Sequence, residues 1–291
     1  MSVDLAQLLR AIGAGASDGG LVTAPEERTE PESPVEMIDE DIADVRRVRP
    51  LEVAAFVDGI QASRTLTHRD HRPVHLVYVA AGALGVAGRA LGVRETLALL
   101  VSAADGEWAR SLPGGVEVIE LDEESPFTLA AAGVAAIGGA RDGLERALVA
   151  DLLDAEVGRV VVDGSLVGRP RTPEIVGVVK TTRTRYLDDE TVLLGLEEGW
   201  RSPRFRITAG PGGAERYSCY LRLNSARHRP WDYGLIRVEA GEPALLDALA
   251  ARCLAERQPR ATRDRRGDRH LTSVANVETY LRARRPVVFD W

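Results

Sequence analysis

The chain has 291 residues, 45% of them hydrophobic and 28% charged, enough to bury one large core or two modest ones. The formal net charge of −7 argues against a protein coated in nucleic acid, though it leaves room for a local basic groove. No run of about 18 apolar residues offers a membrane span, Met1-Ser2-Val3-Asp4-Leu5 lacks a signal-peptide design, and Cys219 and Cys253 have no Cys or His at zinc spacing. Such a chain is expected in a reducing cytoplasm with its two thiols packed and inert.

Residues 1–12 read as a short helix on Leu5, Leu8, Leu9 and Ile12, ended by the glycines from Gly13 to Gly20. Residues 24–44 are rich in acid, Pro and Ser and read as a solvated lead-in or as one partly ordered against the body of the protein, so that 1–45 precede a main domain over 46–291. The apolar run of residues 52–58, ending in Val53-Ala54-Ala55-Phe56-Val57-Asp58-Gly59, predicts a buried strand. Gln61–His71 reads as a turn or as a continuation of that strand. Strands over 74–79, 95–103 and 116–121, with turns at 82–88, 105–106 and 113–115, predict a sheet meander.

From Pro126 to Glu156 alanine and leucine recur at helical spacing, with Gly138-Gly139 expected to split the stretch and leave a helix near Arg141–Asp154. A second strand of the same design, Val160-Val161-Val162-Asp163-Gly164-Ser165, follows directly. Strands are predicted over 174–180, 192–196, 216–223 and 235–239, and helices over 243–256 and from about Thr272 to Arg284. Six arginines crowd residues 257–270. The order predicts one α/β domain around a central mixed β-sheet flanked by helices.

The two aspartates are the informative feature. Each sits where a buried strand stops, a position that costs several kcal/mol unless the carboxylate is paired, hydrogen-bonded or bound to a metal. Side by side they would suit a divalent cation with open positions for a phosphate and a water. The plainer reading of Asp58 is an Asx turn with Gly59. Glu145, 18 positions before Asp163, is the candidate third carboxylate, and equally reads as a surface glutamate pairing with Arg141 or Arg146.

Four segments resemble the NurA nucleases, which work with the HerA motor ATPase in DNA end resection. They are Phe56-Val57-Asp58-Gly59, Arg141-Asp142-Gly143-Leu144-Glu145, Val162-Asp163-Gly164-Ser165-Leu166 and Val176-Gly177-Val178-Val179-Lys180-Thr181-Thr182. The resemblance covers residues 50–185 well and the C-terminal third loosely; Ile60 stands where the family has Ser or Thr. It implies an RNase H-like core, with Asp58, Glu145 and Asp163 holding Mn²⁺ or Mg²⁺ and a late histidine adding a ligand, best matched by His270. His68, His71, His75 and His228 are weaker matches. It also implies a metal-dependent deoxyribonuclease in repair or antiviral defence, acting as a homodimer on DNA with a HerA-type hexameric ATPase. The chain itself has no Walker A sequence, so any motor is another protein.

Lys180 would end the strand beside Asp163 and reads as a phosphate contact or as an ordinary solvated lysine. Arg183 and Arg185 beyond it, and Arg222 with Arg227 and Arg229, read as DNA-backbone contacts rather than base readers. The competing functions are a non-catalytic RNase H-like subunit that docks a HerA-type motor and an actin-like sugar kinase; the latter lacks adenosine-loop glycines.

Overall fold

The computed structural model describes residues 4–13, 35–180, 185–208, 215–258 and 267–289. The expected glycine-rich segment after Gly13, most of the acidic lead-in, Arg183 and the arginines at 260–266 lie outside the described residues.

Among the described residues, twelve strands form one mixed sheet. In chain order the elements are α1 (Leu5–Ile12), β1 (Val35–Met37), β2 (Ala43–Asp44), β3 (Ala55–Arg69), β4 (Arg72–Gly85), β5 (Ala90–Ser102), α2 (Gly106–Ser111), β6 (Glu117–Leu121) and α3 (Pro126–Asp154). There follow β7 (Val160–Asp163), β8 (Ile175–Val179), α4 (Glu190–Gly195), β9 (Trp200–Arg201), β10 (Phe205–Ile207), β11 (Arg216–Arg222), β12 (Leu235–Ala240), α5 (Leu246–Glu256) and α6 (Thr272–Arg284). The main path through the sheet is β1-β10-β11-β12-β8-β7-β3-β4-β5-β6, and β9 joins β2 to β11. β3, β4 and β5 are an antiparallel meander, as the sequence predicts, but β6, expected to continue it, pairs parallel with β5 after the α2 crossover; β3, β7 and β8 also run parallel.

The centre of the sheet is buried on both faces, which is why β7 is a continuous valine run rather than an alternating one. Along β3, Phe56 and Ile60 pack into a core shared with α5 and α6. Ala55 and Val57, one residue out of phase, pack under Leu148, Val149 and Leu152 of α3. No described helix is long and apolar enough to cross a membrane. Both cysteines are buried.

Of the two readings of Gln61–His71, continuation of the strand holds: β3 runs through Arg69 and has 15 residues. Other expectations need correction. α3 is one uninterrupted helix of 29 residues. Gly138 and Gly139 have open space where a Cβ would stand, and packing of Leu129, Ile137 and Leu148 on either side outweighs their weak helical preference. The segment 192–196 is helical, not extended, because Asp189 caps it by accepting the Thr191 N–H at 2.9 Å. The described residues before 45 pack against the main body, in keeping with a lead-in partly ordered on it: Leu8 of α1 is in the core, β1 and β2 belong to the sheet, and Asp39 takes the Arg204 guanidinium at 2.6 Å.

Candidate active site

The parallel register of β3 and β7 builds the site. Ala55, Phe56 and Val57 lie opposite Val160, Val161 and Val162. The next residues in step, Asp58 and Asp163, therefore stand level on neighbouring strands about 4.8 Å apart. The repeated apolar lead-in followed by Asp-Gly is the cause: two strands of equal design, paired in phase, deliver their aspartates to one spot.

Asp58 is 8% exposed and accepts the Gly59 N–H at 2.7 Å. Burial, followed by the neighbouring Asp163 charge, raises its pKa well above the usual carboxylate range; the Lys180 ammonium opposes this. Asp163 is held by Lys180, whose Nζ donates to Oδ2 at 2.8 Å. Lys180 is itself fixed through its carbonyl, which accepts from Arg269 Nη1 at 3.0 Å while Arg269 Nη2 donates to Asp232 at 2.5 Å. His270 comes next in the chain, and its carbonyl accepts the Gln258 N–H at 3.1 Å.

The turn after Asp163 is fastened from below. Gly164 takes φ +127°, a conformation other residues rarely adopt, and donates to the Val178 carbonyl at 2.8 Å. Ser165 Oγ and the Leu166 N–H both donate to Glu239 Oε2, at 2.9 and 2.7 Å. Glu239 has no exposed surface and receives Arg216 Nε at 3.1 Å together with Arg237 Nη1 on its other oxygen. Burial pushes its pKa up, but Arg237, Arg216 and the two turn donors more than offset this, and the net shift is downward.

Glu145 is buried, not the surface glutamate its place on a helix allowed. Its Oε2 accepts from Arg169 Nη2 at 2.8 Å, and Arg141 Nε lies 3.5 Å from Oε1. Burial raises its pKa against the pull of these two arginines. It lies against β3 because residue 59 is glycine: a Cβ there would stand 2.5 Å from Glu145 Oε1.

Asp58, Asp163, Lys180 and His270 line one cleft of about 380 Å³, together with Arg141, Glu278 and Arg282 among others. Glu145 is behind the cleft wall rather than among its lining, close enough for its charge to raise the Asp58 pKa. Among the described residues no three His, Cys, Asp or Glu side chains gather as a ready-made metal shell. The geometry gives a reason: Asp163 is engaged with Lys180, and Glu145 with Arg169 and Arg141. The donors still fit a hard divalent cation. Two carboxylates stand level on one cleft, an imidazole lines it, and the raised pKa of Asp58 marks a carboxylate pair short of positive charge.

The sequence reading missed Glu278. It is the sole acidic residue of α6, the last helix, and forms an ion pair with Arg282 at 2.6 Å; that solitary acid was the available signal.

The basic residues divide differently from expectation. Arg222 is not a DNA contact: it is wholly buried and donates to the carbonyls of Leu193, Leu196, Trp231 and Tyr233. Burial lowers its pKa to about 10. Arg185 pairs with Glu190 beside a separate hollow bordered by Leu193, Leu194 and Trp231. Arg227 and Arg229 are exposed. Of the other histidines, His68, His71 and His228 are exposed, and His75 is buried beside Thr65 with its pKa pushed down to about 4 by burial.

Compared with known proteins, the chain matches no family model and has no significant similarity to a curated protein.

Proposed function

We propose that this protein is a divalent-metal-dependent deoxyribonuclease of NurA type with an RNase H-like core. The observation that carries the reading is the level pair Asp58 and Asp163, one deeply buried with a raised pKa, in a cleft also lined by Lys180 and His270. The strand order β5-β4-β3-β7-β8 supports it: three antiparallel strands, a crossover through α3, then two parallel strands beside the first.

In this reading Asp58 and Asp163 hold Mn²⁺ or Mg²⁺, with His270 as a nitrogen donor and Glu145 supporting from behind. The bound cation lowers the pKa of water and offsets phosphate charge. Asp58, Asp163 and His270 orient that chemistry in the cleft. Lys180, released from Asp163, holds a phosphate oxygen and stabilises charge as the phosphodiester breaks. Glu239 and Arg269 keep the Asp163 turn and Lys180 in place. DNA is the substrate, and a HerA-type hexameric ATPase and a second copy of this chain are the partners, in repair or antiviral defence.

Glu145, held by two arginines behind the cleft wall, favours one alternative: a non-catalytic subunit that docks the HerA-type motor. Incubating the protein with labelled linear and circular DNA, and with Mn²⁺, Mg²⁺ or EDTA, decides. Cleavage abolished by EDTA and by Asp163→Asn supports the nuclease; no cleavage with either metal leaves the docking subunit.

A further inference from the structure

Lys180 has a fixed backbone and a side chain with room to move. Its carbonyl accepts from Arg269, which Asp232 holds in turn, so the chain just past β8 has a set place. Val178 stands opposite Asp163 across the β7–β8 pair, and Lys180, two residues on, keeps to the same side. From there its Nζ reaches Asp163 Oδ2 at 2.8 Å. The stem lies along the wall of the 380 Å³ cleft, which leaves it space to swing. The pair is largely withdrawn from water, with the Lys180 side chain 11% exposed and that of Asp163 22%.

We propose that Lys180 is a built-in counter-cation that occupies Asp163 until a phosphate takes its ammonium, so that a divalent cation and a phosphate bind this site as a coupled pair. The proposal rests on the nuclease reading for the identity of the two ligands. It goes beyond that reading in stating that neither ligand binds tightly alone, and that one side chain is the reason.

Charge sets the direction of the coupling. Asp58 and Asp163 with one ammonium leave a single negative charge where the two strands end. An unmoved Lys180 would set a like charge beside any divalent cation there and keep a carboxylate oxygen occupied. With Lys180 turned to a phosphate, two carboxylates face the cation alone and the local charges cancel. The penalty is mutual: what Lys180 costs the cation when phosphate is absent, it costs the phosphate when the cation is absent. The anchored backbone keeps the released ammonium in the cleft, where a phosphate can meet it. Arg282, another cation of this cleft, differs: it is 63% exposed in a pair with Glu278 on its own helix, where solvent screens it.

The test reads binding, not cleavage. Free Mn²⁺ is followed by electron paramagnetic resonance as the ion is titrated into wild type, Lys180→Met, Lys180→Arg and Arg282→Gln proteins, each checked by melting. Lys180→Met should bind the ion about tenfold or more tightly than wild type, and Lys180→Arg as weakly as wild type. Arg282→Gln should change affinity by about twofold or less. Adding Asp58→Asn to Lys180→Met should cancel the gain, which locates it at the aspartates. Lys180→Gln, which keeps an N–H for Asp163, should show the same gain and serves if Lys180→Met melts early. A second titration, of an oligothymidylate in EDTA, follows the ammonium. Asp163→Asn releases Lys180, and should tighten that binding about fivefold more in the wild-type background than in Lys180→Met.

The proposal is overturned by no gain in the neutral Lys180 variants, by a gain that survives Asp58→Asn or is equalled in Arg282→Gln, or by equal effects of Asp163→Asn in the two backgrounds. Should wild type cleave DNA with Mn²⁺ while the neutral variants gain nothing, the exchange fails and the nuclease reading stands. Should both titrations show the coupling while wild type cuts nothing, the nuclease reading fails and the exchange stands.

Discussion

Asp58 and Glu239 are carboxylates sunk into the same sheet, and their acidities move in opposite directions. Both are almost fully desolvated. Glu239 meets two arginines, a hydroxyl and a backbone amide, a full set of partners for an ionised group. Asp58 meets one amide and a second carboxylate, with the nearby ammonium bonded to that second carboxylate instead. Burial alone therefore does not mark a functional acid. The uncompensated one lines a cleft, and the compensated one holds the turn beside it.

Removing each acid should separate these roles. Glu239→Ala leaves Arg216 and Arg237 buried without a counter-charge and should cost about 3–5 kcal/mol in urea unfolding. Asp58→Asn should leave stability unchanged or raised, because it relieves repulsion from Asp163 and the burial of a poorly paired charge. A large destabilisation by Asp58→Asn would break the comparison. In the nuclease reading Asp163→Asn should lower Mn²⁺-dependent cleavage by about a thousandfold or more while melting within a few degrees of wild type. Lys180, left behind, can turn to Asp58.

The pH dependence sharpens the same contrast. Asp58 has a folded pKa above its unfolded value near 3.9, so within that window the folded state holds a proton the unfolded chain has lost. Its contribution to stability declines as pH rises through the window. Glu239 has a folded pKa below its unfolded value near 4.3, so its contribution is present above that value and is lost as pH falls through the folded one. Urea unfolding across pH in EDTA should show Asp58→Asn removing the decline at higher pH and Glu239→Gln flattening the acid limb. Parallel changes in the two variants would contradict the assignment.

Much of this site was legible because it rests on pattern. Two apolar strands ending in Asp-Gly announce themselves, and pairing in phase does the rest. The long-range ties were not legible. Nothing local in Glu239 says that Ser165 and Leu166, more than 70 positions earlier, will donate to it. Arg222 read as a surface cation because arginine usually is one; its burial depends on carbonyls from Leu193 to Tyr233 converging on it. The helical form of 192–196 turned on the Asp189 cap rather than on the short apolar run of Val192, Leu193 and Leu194.

Glycines give the smallest and most local version of the comparison. Gly59 is pressed against α3: a methyl group there meets Glu145 Oε1 at 2.5 Å and Arg141 Cγ at 2.8 Å. Gly59→Ala must therefore push α3 away from β3 or displace the Glu145 carboxylate, at a cost of about 1–3 kcal/mol, and in the nuclease reading should lower cleavage as well. Gly139 lies on the exposed side of the same helix, with nothing within 4 Å of an added Cβ. Its backbone is already helical, so Gly139→Ala removes only freedom of the unfolded chain and should stabilise by about 0.5–1 kcal/mol. Cleavage and DNA affinity should not change. A denaturation midpoint that falls in Gly139→Ala would mean that α3 needs its glycine pair for a bend or a partner, and the uninterrupted helix would have to be redrawn there.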